Sequence, residues 1–377
     1  MPENPKRREE LMKKKMLAVL LAASMVASMT ACGSSNSADT TTTEEGTNES
    51  TDGAEAAADV SDLKIGLITD VGGVNDGSFN QSSWEGLERA GEELGVTVNY
   101  LESATDADYA PNMETFVDED YDLIISVGYM LADATREAAE ANPDTKFAII
   151  DDATIDLPNV TSLMFKAEQA SYLVGYVAGL TTKTNNIGFV VGMTNETMNQ
   201  FGYGYCAGAI DANPDITVQQ MNANSFADSA TGKSMANAEI TNGADIVFQA
   251  AGATGLGVIE ACQEAGVYAI GVDSDQSSIA PNTVLTSAMK RVDNAVYEAV
   301  QELIDGTLEG GVKTFDLAAG GVDIAPSQDL ISDDVIKAVD EVKEKIISLS
   351  DILGLIVEKE EEILEREDYQ RRRCCSE

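Results

Sequence analysis

The segment KIGLITDVGGVNDGSFNQSSWEGL, residues 64–87, joins a short apolar run to a helical pattern through a glycine-rich, acidic turn. Further runs rich in Val and Ile follow along the chain, among them LIISVGYM, KFAIID and DIVFQAAG, and longer helical patterns separate them. Strands this apolar, alternating with helices, are typical of parallel strands buried on both faces of a sheet. The predicted fold class is therefore α/β, with doubly wound, Rossmann-like sheets.

Two successive groups of strand and helix patterns predict two similar lobes rather than one large sheet. The first lobe is expected to contain residues 62–163 plus about 286–308, and the second residues 164–285 plus about 309–348. VKTFDLA and GVDIA, late in the chain, are predicted to form a hairpin-like pair. Late elements that return to both lobes would give several crossovers, and hence a hinge.

The glycine-rich turn first suggests a phosphate site, because such turns present backbone N–H groups to anions. Its glycines do not follow the G-x-G-x-x-G spacing, no Lys follows as in a P-loop, and Asp70 and Asp76 would repel phosphate. Phosphate is therefore rejected. Phe79 and Asn80 are instead predicted in the first turn of a helix that either Asp76 or Ser78 caps. The Phe79 ring could stack on a flat ligand while Asn80 hydrogen-bonds its edge, with core packing as the alternative for Phe79.

Carboxylates and glycines recur where the predicted strands end. In open α/β sheets, ligands bind at the carboxyl ends of the strands. The residues at these ends are Asp70, Gly128, Tyr129, Asp151, Gly192, Gly252 and Asp273. They predict a polar, acceptor-rich cleft, although any single Asp could instead cap the next helix. Lys290 follows the last of these strands, where it could donate to ligand hydroxyls, neutralise the Asp residues or lie in solvent.

A second glycine-rich segment, AAGATGLGVIEACQEAG at residues 250–266, matches a dinucleotide-binding loop only weakly, because its glycine spacing is inverted. Close approach of its backbone to some ligand is predicted instead. The neighbouring pair Asp273 and Asp275 could indicate a metal site or a glycosidic hydrolase, but no further ligand cluster accompanies it. Hydrogen bonding is favoured, and neither a metal nor another cofactor is predicted.

The charge composition argues against two classes of function. The formal net charge is −41, and the chain contains no His. A nucleic-acid partner requires clustered Lys and Arg, so none is predicted. Without His the usual catalytic base and metal ligand are missing, which argues against an enzyme. Cys206 and Cys262 fall in predicted helices, and nothing indicates a disulfide framework.

The N-terminal region has the pattern of an export signal. Three lysines at positions 13–15 precede an apolar run that is too short to span a bilayer, and the sequence MTAC then ends at Cys32. Residues 1–31 are therefore predicted to be a lipoprotein signal peptide, and Cys32 the diacylated mature N-terminus. Residues 1–11 are unusual for such a signal, so Met12 and Met16 are alternative start sites.

Two further segments are excluded from the predicted fold. Residues 32–61 are rich in Ser, Thr, Glu and Gly, and a segment of this composition is predicted to be a disordered tether that holds the folded part away from a membrane. Residues 349–377 form an atypical tail that ends in RRRCCSE, for which the sequence indicates no function.

Several long motifs, in order along the chain, together resemble the basic membrane protein family, which is typified by purine nucleoside receptor lipoproteins of bacterial ABC importers. The motifs are ITDVGGVNDGSFNQSSWEGL, KFAIID, NVTSLMFKAEQASYLVGYVAGL, GADIVFQAAGATGLGVIEA and VYAIGVDSDQSSIAPNTVLTSAMKRVD. The resemblance covers about residues 62–345. It implies a type I periplasmic-binding-protein fold, in which two α/β lobes joined by crossover strands close on a nucleoside.

The resemblance also implies roles for individual residues. Phe79 of SFNQ and Phe226 of NSFAD would sandwich the purine base. Asn80 and Asp151 would hydrogen-bond the edge of the base.

The remaining implied contacts concern the sugar. Asp273, Lys290 and the backbone of Gly252 would hold the ribose, with Asp70 lining the same cleft. The implied function is that of a lipid-anchored binding protein on the extracytoplasmic face of a bacterial cell membrane. It would deliver guanosine, inosine or adenosine to ABC permease subunits. A binding protein for a sugar or a small signalling molecule, and a nucleoside hydrolase, remain the alternatives.

Overall fold

A computed structural model describes residues 60–327 and 329–348 of the protein. Within that part of the chain it contains twelve strands and nine α-helices. The strands are β1 Lys64–Ile68, β2 Thr97–Leu101, β3 Leu123–Ser126, β4 Lys146–Ile150, β5 Val160–Phe165, β6 Asn186–Val191, β7 Thr217–Asn222, β8 Ile246–Ala250, β9 Tyr268–Asp273, β10 Val284–Lys290, β11 Gly311–Phe315 and β12 Val322–Ile324. The helices are α1 Phe79–Leu94, α2 Tyr109–Asp118, α3 Ala132–Ala141, α4 Ala167–Thr181, α5 Glu196–Ala212, α6 Ser229–Thr241, α7 Ala253–Ala265, α8 Val292–Ile304 and α9 Asp333–Ser348.

The strands form two six-stranded sheets, one for each lobe. The first has the order β11-β5-β4-β3-β1-β2, and all of its neighbouring strands are parallel. The second has the order β12-β10-β9-β8-β6-β7 and is parallel except for β12, which pairs antiparallel with β10. The direction of strand addition reverses between β1 and β3 in the first sheet and between β6 and β8 in the second, as in doubly wound folds. The predicted two-lobe α/β architecture is confirmed.

Apolar composition explains which strands lie in the centre of each sheet. Every residue of β3 and of β8 is buried, because helices cover both faces of a parallel sheet. Edge strand β2, with the sequence TVNYL, is half-exposed. Helix packing on β1 is close at Gly66, where an added Cβ would lie 2.6 Å from the Phe116 ring. These contacts hold the carboxyl ends of the central strands in fixed positions.

The chain crosses between the lobes at three places in the described residues: after β5, after β10, and between β11 and β12. The crossings lie side by side. The Lys166 N–H donates to the Phe315 carbonyl at 2.9 Å, and the Arg291 N–H donates to the Gly321 carbonyl at 2.9 Å. The crossings therefore form one bonded region between the lobes, in the position expected of a hinge.

The predicted hairpin-like pair is wrong. β11 pairs in parallel with β5 in the first sheet, whereas β12 pairs with β10 in the second. Two of the expected lobe boundaries are therefore wrong. Residues 311–315 lie in the first sheet, although residues 309–348 were expected in the second lobe. β10 lies wholly in the second sheet, although residues 286–308 were expected in the first lobe. The physical reason is that β5 and β10 would otherwise be unpaired sheet edges, and each late strand covers one of them.

Some sequence-based expectations lie outside the described residues. These are the signal peptide at 1–31, the lipidation of Cys32, all but the last two residues of the tether at 32–61, and the tail at 349–377. Among residues 60–327 and 329–348, none of the helices is both long and apolar enough to cross a bilayer. Cys206 and Cys262 are buried, in α5 and α7.

Candidate functional site

A cavity of about 520 Å³, counted out to its mouth, lies between the two lobes. The first lobe lines it with Asp70, Asp76, Phe79, Asn80, Gly128, Tyr129, Met130 and Asp151; the second lobe contributes Met198, Phe201, Phe226, Ala250, Ala251, Gly252, Val272, Asp273 and Lys290. All eight residues predicted to bind ligand are therefore brought to one cavity.

Strand ends account for most of this lining. Asp70 follows β1 by two residues, Asp151 follows β4, Gly252 follows β8, and Asp273 is the last residue of β9. Because parallel strands end at the same edge of a sheet, these residues converge without being close in sequence.

Asp151 and Asp273 share an unusual backbone conformation. Their φ angles are 65° and 64°, in the left-handed region that non-glycine residues rarely occupy. Both residues lie at a strand end, one in each lobe, and both line the cavity. Such a conformation costs about 1–2 kcal/mol for an ordinary L-residue and is found most often at functional sites. It turns the chain so that each carboxylate lies at the cavity.

The turn before α1 is organised by Asp76. Its carboxylate accepts hydrogen bonds from the backbone N–H groups of Ser78 (2.9 Å), Asn80 (2.9 Å) and Gln81 (3.1 Å). Asp76 therefore caps the helix, and the Ser78 side chain does not. Phe79 is the first helical residue, which confirms the predicted position of Phe79 and Asn80 in the first turn.

The Asn80 side chain is fully engaged within its own lobe. Its Nδ2 donates to Asp70 at 2.7 Å and to Asp76 at 3.0 Å, and its Oδ1 accepts the Asp70 backbone N–H at 3.1 Å. Asn80 is only 1% exposed. In this arrangement the amide orients the Asp70 carboxylate, and a contact in which Nδ2 donates to a ligand edge would require one of its two bonds to be exchanged, whereas Oδ1 could accept a second bond.

Each predicted stacking ring rests on a glycine of its own lobe. An added Cβ at Gly128, where φ is 107°, would lie 3.3 Å from the Phe79 ring. An added Cβ at Gly192 would lie 2.3 Å from the Phe226 ring, so no larger residue fits there without moving the ring. Both rings line the cavity, one from each lobe.

Lys290 joins the two lobes at the inner wall of the cavity. It is 2% exposed, and its ammonium forms a buried ion pair with Asp151 of the opposite lobe. Its Nζ also lies 4.6 Å from the centre of the Phe79 ring and 5.0 Å from that of Phe165. Of the three roles considered for Lys290, neutralising a carboxylate is the one seen here, and a position in solvent is excluded.

The cavity is rich in hydrogen-bond acceptors and negatively charged. Four carboxylates face one ammonium group: Asp70, Asp76, Asp151 and Asp273 against Lys290. Burial raises the pKa of Asp70 to about 6, and the hydrogen bond from Asn80 opposes that shift. Burial likewise raises the pKa of Asp273 to about 6, against the opposing influence of Lys290 and Ser78. Both carboxylates are mostly ionised at pH 7 and can accept hydrogen bonds from hydroxyl or N–H groups.

The second glycine-rich segment differs in part from the prediction. Gly252, with φ 55°, lies at the cavity. Added Cβ atoms at Gly255 and Gly257 would instead lie 1.9 Å from the Gln249 side chain and 1.8 Å from the Ser229 carbonyl. The close approach at these two glycines is to other parts of the protein, so the expected approach to a ligand is wrong for them.

The other acidic candidate also has a structural role. The Asp275 carboxylate accepts the Ser277 N–H at 3.1 Å and caps a short helical turn at Gln276–Ser278. Within the described residues, no group of three or more Asp, Glu or Cys side chains is arranged to hold a metal ion.

Sequence reasoning missed several lining residues. Met198 and Phe201 lie on the first turns of α5, just after β6. The strand-end rule points to these positions, but their apolar spacing is the same as that of helix residues that face the core. Only the structure separates the two environments.

Comparison with known proteins was made for both sequence and fold. Residues 63–354 match the family described as "ABC transporter substrate-binding protein PnrA-like". The chain is 38% identical to the "ABC transporter nucleoside-binding protein BmpA" of Lactococcus lactis, over 70% of this chain and 82% of that protein. It is 37% identical to "Basic membrane protein A" of Borreliella burgdorferi (76% and 86%) and 41% identical to a "CD4+ T-cell-stimulating antigen" of Listeria monocytogenes (76% and 86%).

Solved structures agree with these sequence relatives. A solute-binding protein of an ABC transporter system from Aeropyrum pernix superposes with a TM-score of 0.71 at 28% identity, covering 76% of this chain and 91% of that one. One from Conexibacter woesei has a TM-score of 0.62 at 24% identity (76% and 96%), which supports the fold alone. The chain therefore belongs to the Bmp family of PnrA-like ABC transporter substrate-binding proteins.

Proposed function

We propose that this protein captures purine nucleosides between its lobes and delivers them to the permease of an ABC importer. The observation that carries the proposal is the pairing of Phe79 and Phe226. The two rings come from different lobes and line one cavity, whose lining also includes four carboxylates. A nucleoside combines a flat aromatic base with hydroxyl donors, and the cavity offers partners for both.

The energetics of such a ligand are favourable. Stacking on an aromatic ring contributes about 0.5–1.5 kcal/mol beyond the burial of apolar area. Each hydroxyl that donates to an ionised carboxylate contributes roughly 1.5–3 kcal/mol. Asp273 and Asp151 are the proposed acceptors, for the ribose and for the base edge. A few such contacts, less the cost of association, would give micromolar to nanomolar affinity, about −8 to −12 kcal/mol.

The name of the Lactococcus relative supports the same ligand class, since that protein is called nucleoside-binding. Guanosine, inosine and adenosine all have the features on which this proposal rests.

Mass spectrometry of the ligand released on denaturing freshly purified protein tests the proposal. We expect a purine nucleoside in stoichiometric amount, or its uptake when ligand-free protein is mixed with inosine, guanosine and adenosine. Recovery of a sugar alone, with no nucleoside bound, would contradict the proposal. Release of free base from inosine would instead identify a hydrolase.

Membrane anchoring through Cys32 is part of the same proposal. It rests on the lipobox-like MTAC sequence and on the apolar run before it. The test is expression in a bacterial host, where wild-type protein should fractionate with membranes and carry a diacylglyceryl group at Cys32. Cys32→Ala should be released in soluble form, and membrane retention of that variant would argue against the anchor.

A further inference from the structure

Side-chain hydrogen bonds connect the two lobes around the cavity. The Ser78 hydroxyl donates to Asp273, and Lys290 pairs with Asp151. A third bond runs from Gln276 Nε2 to the carbonyl of Gly77, at 2.7 Å. The first two engage carboxylates that line the cavity, whereas neither Gln276 nor Gly77 belongs to the lining.

This difference matters when a ligand enters. On the proposed function, the carboxylates of Asp273 and Asp151 bind polar groups of the nucleoside, so their bonds to Ser78 and Lys290 must be shared or exchanged. The bond between Gln276 and Gly77 need not change, because it lies outside the cavity.

Gln276 is held rigidly for such a role. It is 1% exposed, and its Oε1 accepts hydrogen bonds from Gln249 Nε2 at 2.9 Å and from the Val272 N–H at 3.0 Å. Its own N–H donates to the Ser287 hydroxyl at 3.1 Å. Because Gln276 Oε1 is hydrogen-bonded within the second lobe, Gln276 Nε2 points towards the first lobe.

Gly77, the partner of Gln276 in the first lobe, is also held in a defined position. Gly77 has φ 65°, and an added Cβ there would lie 3.2 Å from Leu256 and 3.8 Å from Ile279, both of the second lobe. The Gly77 backbone therefore lies against an apolar wall of the second lobe while its carbonyl meets Gln276. Gly77 lies two residues before Phe79, so the contact between the lobes at Gly77 also helps to position the proposed stacking ring.

We infer that Gln276 is a clasp that stabilises the closed arrangement of the lobes, and that it sets the rate of ligand release. Ser78 and Lys290, by contrast, hold the cavity carboxylates only until a ligand replaces them. Gln276 is thus a positioning residue that acts through Gly77 without touching the ligand. The inference about ligand release rests on the proposed function, and the one about lobe closure does not.

Gln276→Glu tests the clasp most directly, because it keeps the Oε1 acceptor and, once ionised, replaces the donor across the cleft with an oxygen that repels the Gly77 carbonyl. Measured above pH 8, so that the new carboxyl is ionised, it should increase the radius of gyration of the ligand-free protein in small-angle X-ray scattering. It should also raise the dissociation rate of inosine about tenfold, the size expected for loss of one hydrogen bond.

Two further variants separate the clasp from general damage. Ser287→Ala removes a hydrogen bond of Gln276 within its own lobe and should leave both quantities unchanged. Ser78→Ala should loosen the ligand-free protein but leave the dissociation rate near that of wild type. Gln276→Met, similar in length and neutral, replaces Gln276→Glu if circular dichroism shows that the latter does not fold.

An unchanged radius of gyration together with an unchanged dissociation rate in the Gln276 variant would overturn the inference. If wild-type protein binds no nucleoside at all, the proposed function fails, and the scattering comparison of ligand-free proteins still decides whether Gln276 closes the lobes.

Discussion

At the scale of single residues, the deepest buried acid outside the cavity is Glu239. It is fully buried in the second lobe, where its Oε1 accepts the Phe189 N–H at 3.3 Å and its Oε2 has no hydrogen-bond partner among the described residues. Burial raises the pKa of Glu239 from 4.5 to about 8. Glu239 is therefore protonated in the native protein at neutral pH.

This carboxyl makes stability depend on pH. Between pH 4.5 and 8 the native state keeps a proton that the unfolded chain has released. The contribution of Glu239 to the free energy of unfolding is therefore highest below pH 4.5. It falls as pH rises, by about 1.4 kcal/mol per pH unit and by up to about 5 kcal/mol between pH 4.5 and 8. Glu239→Gln should remove that loss, so that denaturant unfolding shows the variant similar to wild type near pH 5 and more stable at pH 8. If the free energy of unfolding of the two proteins depended on pH in the same way, Glu239 would not be uncharged in the native protein.

Asp273 allows a cleaner test of ligand binding than a truncation would. Asp273→Asn keeps a side chain that tolerates the left-handed backbone and can accept from Ser78, and it removes only the charge. Nucleoside affinity should fall about 10- to 100-fold, the size of a charge-assisted hydrogen bond, as measured by calorimetry.

The matched control is Asp120→Asn, which has a similar φ of 56° on an exposed turn away from the cavity. It should bind as wild type does. A loss of thermal stability in Asp273→Asn without loss of affinity would assign Asp273 a structural role instead.

The candidate site was largely predictable at this scale because strand ends can be recognised from apolar runs. Asp70, Asp151 and Asp273 follow such runs directly. Phe201 was missed for a physical reason, because a helical Phe has the same spacing whether it faces a cavity or the core.

At the scale of elements, α4 and α5 pack with almost no side chain between them. An added Cβ at Gly208 would lie 2.0 Å from the Tyr172 carbonyl, and one at Gly204 would lie 2.2 Å from the Glu168 carbonyl. Glycines one helical turn apart on α5 thus let its backbone lie directly on α4. This helix pair covers the second sheet next to the crossing after β5.

Gly208→Ala should therefore destabilise the protein by about 1–3 kcal/mol through overpacking, despite the better helix propensity of Ala. The measurement is thermal or denaturant unfolding. Gly95→Ala provides the contrast, because Gly95 ends α1 with φ 81° and an added Cβ there meets no atom within 4 Å. Its cost should be limited to backbone strain, about 1 kcal/mol. An equally small effect at Gly208 would mean that the helices can separate.

The elements themselves were mostly predictable, and their pairing was less so. LIISVGYM, KFAIID and DIVFQAAG contain β3, β4 and β8 as expected. The late strands β11 and β12 were recognised as extended but assigned to each other. Local sequence indicates extension, whereas the choice of partner depends on which sheet edge is left open in the folded molecule.

At the scale of the whole molecule, three chain crossings and the side-chain contacts between the lobes position the two sheets around one cavity. The two-lobe plan could be predicted because the pattern of strands and helices occurs twice. The boundaries of the late segments could not be predicted, because the chain returns from β10 in the second sheet to β11 in the first and then back to β12 in the second. Lys290 is the last residue of β10 and lies just before one of these crossings. Its ion pair with Asp151 therefore connects the two lobes next to the hinge region and at the cavity.

The charge of the molecule bears on the ligand as well. The formal charge is −41, and four carboxylates line the cavity beside one ammonium. A phosphate held at roughly 8 Å from one ionised carboxylate is opposed by about 2 kcal/mol per unit charge at an effective dielectric constant near 20. An uncharged ligand avoids this cost.

Calorimetric titration of ligand-free protein with inosine and guanosine, and with their 5′-monophosphates, tests the central claim that the cavity takes an uncharged nucleoside. We expect the nucleosides to bind with micromolar or tighter affinity and the monophosphates at least about 100-fold more weakly. Equal affinity for nucleosides and monophosphates, or no binding of either, would contradict it.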